Sequence, residues 1–443
     1  QVQSLPRICP HGHVPVSVLA DPAARFPSPS QLFIVPDHYV FRMLYSQGVP
    51  MQDLGIPTRD GTPVESDGRA VWRAFATYFP LFAGTPTALW LKAELIELFG
   101  ITEKPCAENA DQIYAEIERR LAEPDFTPRR LFERFNIEVF ATTDAATDSL
   151  EQHESLHHDG LSSVRPTLRP DGVVNLDAPG WRDNIDRLSD VSAISVVDYS
   201  SYIRALEQRR QEFKAAGAFA TDHSASTAQT QALSATAANE IFERALRGIT
   251  EPADAEHFTA HMLFEQARMA TEDGLVMQLH IGSFRNHNPA VYERFGPDAG
   301  ADIPLATEFT RGLQPLLGVF GNDPRFRVIP FTVDETTYSR ELAPLAGHYP
   351  AVFLGPPWWF FDSVRGMQRY LDAVVETAGV YNLAGFNDDT RAFASIAVRH
   401  DVWRRVTCNW LAGQIVRGIL DEDDGPLLAH ELTYGCPKRA YRL

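Results

Sequence analysis

The chain has 443 residues, of which 44% are hydrophobic and 22% charged, and its formal net charge is −18. This composition is typical of a globular enzyme with one large domain or two of ordinary size. The negative charge argues against nucleic acid or an anionic membrane as the main partner, because both would repel it. No apolar run approaches the roughly 20 residues that a membrane-spanning helix needs.

Cysteine usage indicates the compartment. The four cysteines lie far apart and show no C-x-x-C spacing, so neither a zinc knuckle nor a dense disulfide framework is indicated. They are Cys9, Cys106, Cys408 and Cys436. We therefore expect the protein in a reducing cytoplasm.

The first predicted strand, at about 7–13, ends in the motif His11-Gly12-His13. Two histidines one residue apart in an extended chain point to the same side and can reach one ion. Asp389 follows another apolar run, far along the chain. Two imidazoles and one carboxylate suit zinc or a similar divalent cation, with a position open for water or substrate. The alternative is a capping aspartate and two hydrogen-bonded histidines without a metal.

A long helical segment follows the first strand. Apolar residues recur at helix spacing over 70–76 and 88–95. We divide the chain into three segments: 1–36 for the first barrel strand and loop, 37–130 for a helical insertion, and 131–443 for the remaining β/α units and the C-terminal helices. Trp72 and Trp90 are predicted to be exposed on the insertion, which makes it a candidate contact in a homo-oligomer.

Short apolar runs separated by helical patterns predict an α/β fold with parallel strands. The eight predicted strands are 7–13, 137–142, 164–169, 216–221, 275–281, 327–331, 351–354 and 379–386. Eight such units predict a closed (β/α)8 barrel of the TIM type, with the helical insertion after the first strand. An open doubly wound sheet is the competing architecture, but no G-x-G-x-x-G or P-loop pattern stands where it would need one.

Polar groups follow nearly every predicted strand, as expected of a barrel whose chemistry gathers at the C-terminal strand ends. They are His11 and His13, Thr142-Thr143-Asp144, Arg169, Asp222-His223, His280, Trp358-Trp359, and Asp389 with Arg391. His280 is a candidate for a further metal ligand or for a donor to substrate, and its spacing does not separate the two roles.

Further candidates lie in loops and at strand ends. Asp37-His38-Tyr39 is predicted to be loop-like, and a tyrosine near a cation is a plausible acid or base. Arg169 and Arg285 are candidates for holding a carboxylate or phosphate, with a salt bridge to a neighbouring acid as the alternative. The aromatic cluster at Trp358 is typical either of a core or of a surface that stacks on a sugar ring.

Taken together, these motifs resemble the uronate isomerases of the amidohydrolase superfamily. The resemblance runs nearly end to end, and it rests on the order and spacing of several motifs. They are Pro10-His11-Gly12-His13, Pro36-Asp37-His38-Tyr39, Thr142-Thr143-Asp144, Arg169-Pro170-Asp171, Thr221-Asp222-His223, Gln278-Leu279-His280, Trp358-Trp359-Phe360, Asp389-Thr390-Arg391 and Arg399-His400. The last acidic motif holds two aspartates, and we take Asp389, two residues before Arg391, as the ligand.

The resemblance implies an isomerase that interconverts D-glucuronate with D-fructuronate, and D-galacturonate with D-tagaturonate, by proton transfer between C2 and C1. It implies a divalent metal, with zinc favoured over manganese or another ion, on His11, His13 and Asp389. Asp389 is implied as the base, Tyr39 as a proton shuttle and Arg391 as an electrostatic partner. Arg169 is implied to hold the substrate carboxylate, with His38, His280, Arg285 and Trp358 in the substrate pocket.

Two other functions are compatible with the same residues. A metal-dependent hydrolase or deaminase would use His11, His13 and Asp389 in the same way. Such enzymes often carry a bridging lysine, and no lysine lies at a predicted strand end. A barrel that only binds acidic sugars or holds a structural metal is the third possibility, and it predicts a metal site closed to water.

Overall fold

The strands form where short apolar runs meet, and the computed structural model describes residues 2–443. The strands are β1 (Arg7–Cys9), β2 (Ile137–Ala141), β3 (Asp144–Ala145), β4 (Val164–Arg165), β5 (Leu168–Arg169), β6 (Ala220–Ala225), β7 (Val276–Ile281), β8 (Ser283–Phe284), β9 (Ile303–Pro304) and β10 (Val328–Thr332). All six residues of β7 are buried, as expected of a parallel strand covered on both faces.

The helices occupy the intervals between the strands. They are α1 (Ser17–Ala20), α2 (Pro29–Phe33), α3 (His38–Ser46), α4 (Gly68–Tyr78), α5 (Pro86–Phe99), α6 (Ala110–Leu121), α7 (Pro128–Arg134), α8 (Glu151–His158), α9 (Asp171–Val174), α10 (Trp181–Ser192), α11 (Tyr199–Ala215), α12 (Ala235–Leu246), α13 (Pro252–Asp273), α14 (Pro289–Phe295), α15 (Gln314–Phe320), α16 (Ala343–Ala346), α17 (Val364–Ala378), α18 (Ile396–Val416), α19 (Asp424–His430) and α20 (Cys436–Tyr441). None of the helices in residues 2–443 is both long and apolar enough to cross a bilayer.

The parallel strands follow one another around a barrel in chain order. One sheet has the order β1-β2-β4 and the other the order β10-β7-β6-β5-β3. The two sheets meet where β2 continues into β3 and β4 into β5, with backbone hydrogen bonds across the junction. Beyond β10 the barrel continues through two isolated parallel bridges, which pair Val328 with Val352 and Leu354 with Leu383. The amide of His13, in the loop after β1, donates to the carbonyl of Thr390 at 3.0 Å, which joins the last segment of the barrel to the first.

The predicted barrel is confirmed, while several strand limits are wrong. The strand predicted at 7–13 ends at Cys9. The strand predicted at 216–221 lies at Ala220–Ala225, because the amides of 216–218 donate back to the last turn of α11 and not to a neighbouring strand. The segments 351–354 and 379–386 contribute only isolated bridges. Apolar content identifies a buried segment, but it does not fix which residues pair.

Seven helices, α1 to α7, fill the interval between β1 and β2. Their apolar faces form one core with Cys9, Phe140 and Val164, so this layer packs directly on the first strands of the barrel. Trp72 and Trp90 are each 1% exposed, which corrects their predicted exposure. Their rings pack against Phe33 and Tyr39 inside the layer, so they cannot form an oligomer contact. The division at 36 and 130 and the homo-oligomer remain predictions.

The C-terminal helix closes the barrel at the end opposite the predicted site. The hydroxyl of Tyr441, in α20, donates to Oε1 of Gln278 at 2.9 Å. Gln278 lies two residues before His280 on β7, and side chains two apart on a strand share a face. A polar contact between α20 and β7 therefore lies on the side of His280 away from the C-terminal strand ends.

Candidate active site

Three side chains converge at the C-terminal end of the barrel. Nε2 of His11 and Nε2 of His13 each lie 3.2 Å from the same oxygen, Oδ1 of Asp389. Neither contact has hydrogen-bond geometry, and this buried oxygen has no hydrogen-bond partner within residues 2–443. Ligands of a tetrahedral zinc, each about 2.0–2.1 Å from the ion, lie about 3.3 Å from one another. The three residues are therefore spaced so that they could hold one divalent ion.

Loop contacts beyond β1 place the two histidines. Because the strand ends at Cys9, His11 and His13 lie on the loop that follows it. The hydroxyl of Thr143 donates to the carbonyl of Gly12 at 2.9 Å, which fixes the turn between the two imidazoles. Asp389 has a backbone φ of 41°, a left-handed conformation that is costly for a residue with a side chain. Although burial acts in the opposite direction, His11 and His13 hold the pKa of Asp389 well below its ordinary value.

His280 lies beside this group and is held by a carboxylate. Nδ1 of His280 is 2.6 Å from Oδ1 of Asp222, whose other oxygen is 3.3 Å from Nη1 of Arg169. Nε of Arg169 also contacts Asp171 at 2.8 Å. Nε2 of His280 is buried without a hydrogen-bond partner in the described chain. That nitrogen is therefore available to a ligand in the barrel mouth.

The motif predicted as loop-like at Asp37 is a helix start. Asp37 caps α3 by accepting the amide of Tyr39 at 2.8 Å, so His38 and Tyr39 lie in its first turn. Their rings stack with centroids 4.6 Å apart. Burial, with the positive charges of Arg391 and Arg42, lowers the pKa of His38 to about 3. Both ring nitrogens of this neutral imidazole lack hydrogen-bond partners among the described residues.

Tyr39 is a protonated acid in this environment. Its side chain is 5% exposed. Burial raises the pKa of Tyr39 well above its ordinary value, with Asp389 and Asp362 adding to the effect against the guanidinium of Arg399. The phenol therefore keeps its proton at neutral pH and is suited to donating it to a substrate oxygen.

Arginines and aromatic rings surround the opening. Arg391 pairs with Asp298 at 2.9 Å, and Arg285 pairs with Asp302 at 2.8 Å. Nη2 of Arg285 also reaches Oγ of Ser224 at 3.3 Å. Trp358 is buried, and its ring meets that of His280 edge to face, with centroids 4.7 Å apart. The opening thus combines guanidinium groups, which can pair with an anion, with a flat apolar wall, which suits a sugar ring.

The comparisons with known proteins bear directly on this site. The family model of glucuronate isomerases matches residues 1–440. The chain belongs to the glucuronate isomerase family.

Relatives and solved structures agree with this family over nearly the whole chain. A uronate isomerase of Nostoc punctiforme is 58% identical over 442 residues, covering 100% of this chain and 93% of that protein. The crystal structure of glucuronate isomerase from Caulobacter crescentus has a TM-score of 0.97 and 47% identity, covering 99% of this chain and 92% of the other. The uronate isomerase structure from Thermotoga maritima has a TM-score of 0.93 and 26% identity, covering 99% and 95%.

Membership in the glucuronate isomerase family confirms the resemblance found in the sequence. The protein is an isomerase of this family, and its barrel is consistent with the amidohydrolase superfamily. The hydrolase or deaminase interpretation is not favoured, since full-length relatives with high identity are uronate isomerases.

The structure also shows residues that the sequence did not assign to the site. Asp222 stood at a predicted strand end, and its role becomes visible only through its contacts with His280 and Arg169. Its neighbour His223 points to the other face of β6 and contacts Thr221 at 2.9 Å, outside the site. Asp298 lies in a loop without any pattern that predicts its contact with Arg391.

Proposed function

We propose that this member of the glucuronate isomerase family interconverts D-glucuronate with D-fructuronate, and D-galacturonate with D-tagaturonate. The observation that carries the proposal is the convergence of His11 and His13 on one oxygen of Asp389, at 3.2 Å each, inside a mouth that also holds Arg169 and Arg391. The cation site and the arginines suit an aldose that carries a carboxylate.

We propose zinc on His11, His13 and Asp389, with manganese as the second candidate. Two imidazoles and one carboxylate are donors that zinc prefers, whereas manganese favours oxygen ligands. Bound there, a divalent ion supplies Lewis acidity that stabilises negative charge on a substrate oxygen. The unpartnered Oδ1 of Asp389 supports this donor set, because an acceptor buried without a partner is costly.

The reaction needs two proton transfers, one from carbon to carbon and one from oxygen to oxygen, and we assign each to a different residue. In our proposal the carboxylate of Asp389 takes the proton from C2 of the open-chain uronate, exchanges it with water, and delivers a proton to C1. The hydroxyl proton of O2 moves to O1 through the phenol of Tyr39, so that the enediol becomes the ketose with all atoms conserved. Arg391 stabilises the charge that develops on the enediol oxygens.

We propose Arg169 as the group that holds the substrate carboxylate. Its Nε donates to Asp171 at 2.8 Å and its Nη1 lies 3.3 Å from Asp222, while Nη2 makes no hydrogen bond to residues 2–443. Nη2 is left for a ligand. The unpartnered nitrogens of His38 and His280 are available to the sugar hydroxyls, Trp358 provides an apolar wall, and Arg285 adds positive charge.

The cytoplasm is the compartment that we propose. All four cysteines are free thiols, and two of them, Cys9 and Cys436, are buried. Free thiols are typical of proteins in a reducing environment.

Incubation of the zinc-loaded protein with each substrate tests the proposal. We expect ¹H NMR to show a ketose from glucuronate and from galacturonate, and none from glucose, which lacks the carboxylate. Protein stripped with a chelator should be inactive and should recover when zinc is returned. If neither uronate is converted by the fully loaded protein, the proposed function is wrong.

A further inference from the structure

Two adjacent side chains of α18 hold the residue that precedes Asp389. Nη1 of Arg399 donates to the carbonyl oxygen of Asp388 at 2.9 Å. Nε2 of His400 lies 3.2 Å from Oδ1 of the same aspartate. Both side chains are buried, at 1% and 3% exposure. Residue 388 is therefore fixed at its backbone and at its side chain by one helix.

These contacts bear on the strained conformation of Asp389. The carbonyl that Arg399 binds belongs to the peptide that joins residues 388 and 389, and a peptide is planar. Fixing one end of this plane therefore restricts the orientation of the backbone at Asp389. A left-handed φ such as the 41° of Asp389 is unfavourable for a residue with a side chain and persists only where the surroundings impose it.

Arg399 also connects this turn to Tyr39. Its Nη1 lies 3.1 Å from Oδ2 of Asp362, and its guanidinium lies over the ring of Trp90 at 3.8 Å and over the ring of Tyr39 at 5.2 Å. A guanidinium over an aromatic face is attracted to it. One buried arginine thus touches both the turn that carries the proposed base and the ring of the proposed shuttle.

We propose that Arg399 and His400 are positioning residues that hold the Asp388–Asp389 peptide so that the Asp389 carboxylate faces His11 and His13. Arg399 in addition sets the ring of Tyr39 relative to that carboxylate. The inference rests on the proposed function for the roles of Asp389 and Tyr39. It adds that the geometry of these two groups is imposed from α18, by side chains that do not themselves contact the candidate metal ligands.

A second metal site is the competing explanation for the same cluster. Sγ of Cys9 lies 3.4 Å from Nε2 of His400, so Cys9, Asp388 and His400 could also hold an ion. A structural zinc needs four ligands, whereas the described residues supply three here, and all three are buried away from water. Hydrogen bonding that positions Asp388 accounts for the cluster without a missing ligand.

The test uses three variants: His400→Ala, His400→Gln and Arg399→Lys. For each variant we would measure the metal affinity, the visible spectrum of the Co²⁺-loaded protein, and kcat and KM separately. His400→Ala should weaken metal binding about 10- to 100-fold, the range found when partners of metal ligands are removed. His400→Gln keeps a donor for Asp388 and should recover most of that affinity. Arg399→Lys should lower kcat at least 10-fold with little change in KM, and both His400→Ala and Arg399→Lys should alter the Co²⁺ spectrum.

Arg210→Lys is the matched control, because Arg210 is equally buried and pairs with Asp273 between α11 and α13, with no contact to Asp388 or Tyr39. It should lower the melting temperature and leave the spectrum, the metal affinity and kcat as in the wild type. The proposal is overturned if His400→Ala and Arg399→Lys behave like this control, if His400→Gln is no better than His400→Ala, or if the wild type binds two ions and His400→Ala loses one. An inactive wild type with the expected metal and spectral changes would instead refute the proposed function alone.

Discussion

The imidazole of His280 stacks on that of His11, with ring centroids 4.5 Å apart and planes inclined by 29°. Nδ1 of His280 is held by Asp222 at 2.6 Å, so Nε2 is the nitrogen left for a ligand. His11, Asp222 and His280 lie close enough together that they could also hold an ion, so His280 has two candidate roles, metal ligand and substrate contact. We propose the substrate contact, because His11, His13 and Asp389 already supply the donor set of the candidate metal site.

Replacing His280 with Asn should separate the two roles. We expect His280→Asn to keep the full metal content and to lower kcat/KM about 10- to 100-fold, since one buried polar contact to substrate is lost. His223→Asn on the neighbouring strand is the control, because the imidazole of His223 has its hydrogen bond with Thr221 on the opposite face, and this variant should retain near-normal kcat/KM. Metal analysis that shows loss of the ion in His280→Asn would make His280 a ligand.

Replacing Tyr39 with Phe should abolish proton transfer while the ring contacts remain. The phenyl ring still stacks on His38, so we expect the fold and the metal content to be unchanged. Turnover should fall about 10²- to 10⁴-fold, the contribution typical of a general acid or base. Tyr202→Phe removes another buried hydroxyl, one that donates to the carbonyl of Val173, and should leave turnover intact. Near-normal turnover of Tyr39→Phe would exclude Tyr39 from the mechanism.

Replacing Arg169 with Lys should weaken substrate binding selectively. Lysine keeps the charge opposite Asp222 but lacks the planar fork that pairs with a carboxylate. We expect KM for glucuronate to rise at least 10-fold with a smaller change in kcat, as steady-state kinetics would show. Arg268→Lys, at a surface cluster of glutamates on α13, is the control and should have an unchanged KM. An unchanged KM in Arg169→Lys would assign the substrate carboxylate to another residue.

The stability of the protein should depend on pH through Glu94, which is 2% exposed within the helical layer. Burial, with the negative charge of Asp37, raises its pKa from 4.5 to about 8. The folded protein therefore holds a proton that the unfolded chain releases, so this contribution is complete below pH 4.5 and is lost as the pH rises to about 8. The slope is at most about 1.4 kcal/mol per pH unit.

Urea unfolding at pH 5, 7 and 9 measures this dependence. Glu94→Gln is neutral at every pH, so the variant should lack this part of the slope and should be more stable than the wild type at pH 9. Glu97→Gln, at an exposed position of the same helix, should keep the slope of the wild type. Equal slopes for Glu94→Gln and the wild type would show that Glu94 is not protonated in the folded protein.

The sequence predicted which side chains converge better than it predicted the limits of the elements. His11, His13 and Asp389 follow apolar runs, and the strand ends of a barrel meet at one rim, so their convergence follows from the pattern. The conformation of the segments 351–354 and 379–386 depends on their neighbours in the ring, which apolar content does not specify. Trp72 and Trp90 looked exposed because a helix pattern does not show which other helices will cover it.

Contacts between segments that are distant in the chain could not be predicted from the sequence. The pairing of Arg391 with Asp298 joins a strand end to a loop, and neither residue lies in a periodic pattern that indicates the other. The contacts of Arg399 and His400 with Asp388 depend on the angle at which α18 returns to the barrel rim. Such relationships become visible only when the fold has brought the two segments together.

Isomerisation in deuterated water tests the central claim most directly. Zinc-loaded protein is incubated with glucuronate in D₂O, and the ketose is analysed by NMR and mass spectrometry. If Asp389 carries the proton from C2 to C1 and exchanges with solvent, the ketose will contain deuterium at C1. A glucuronate that stays unconverted, or a ketose formed without any deuterium, would contradict the account.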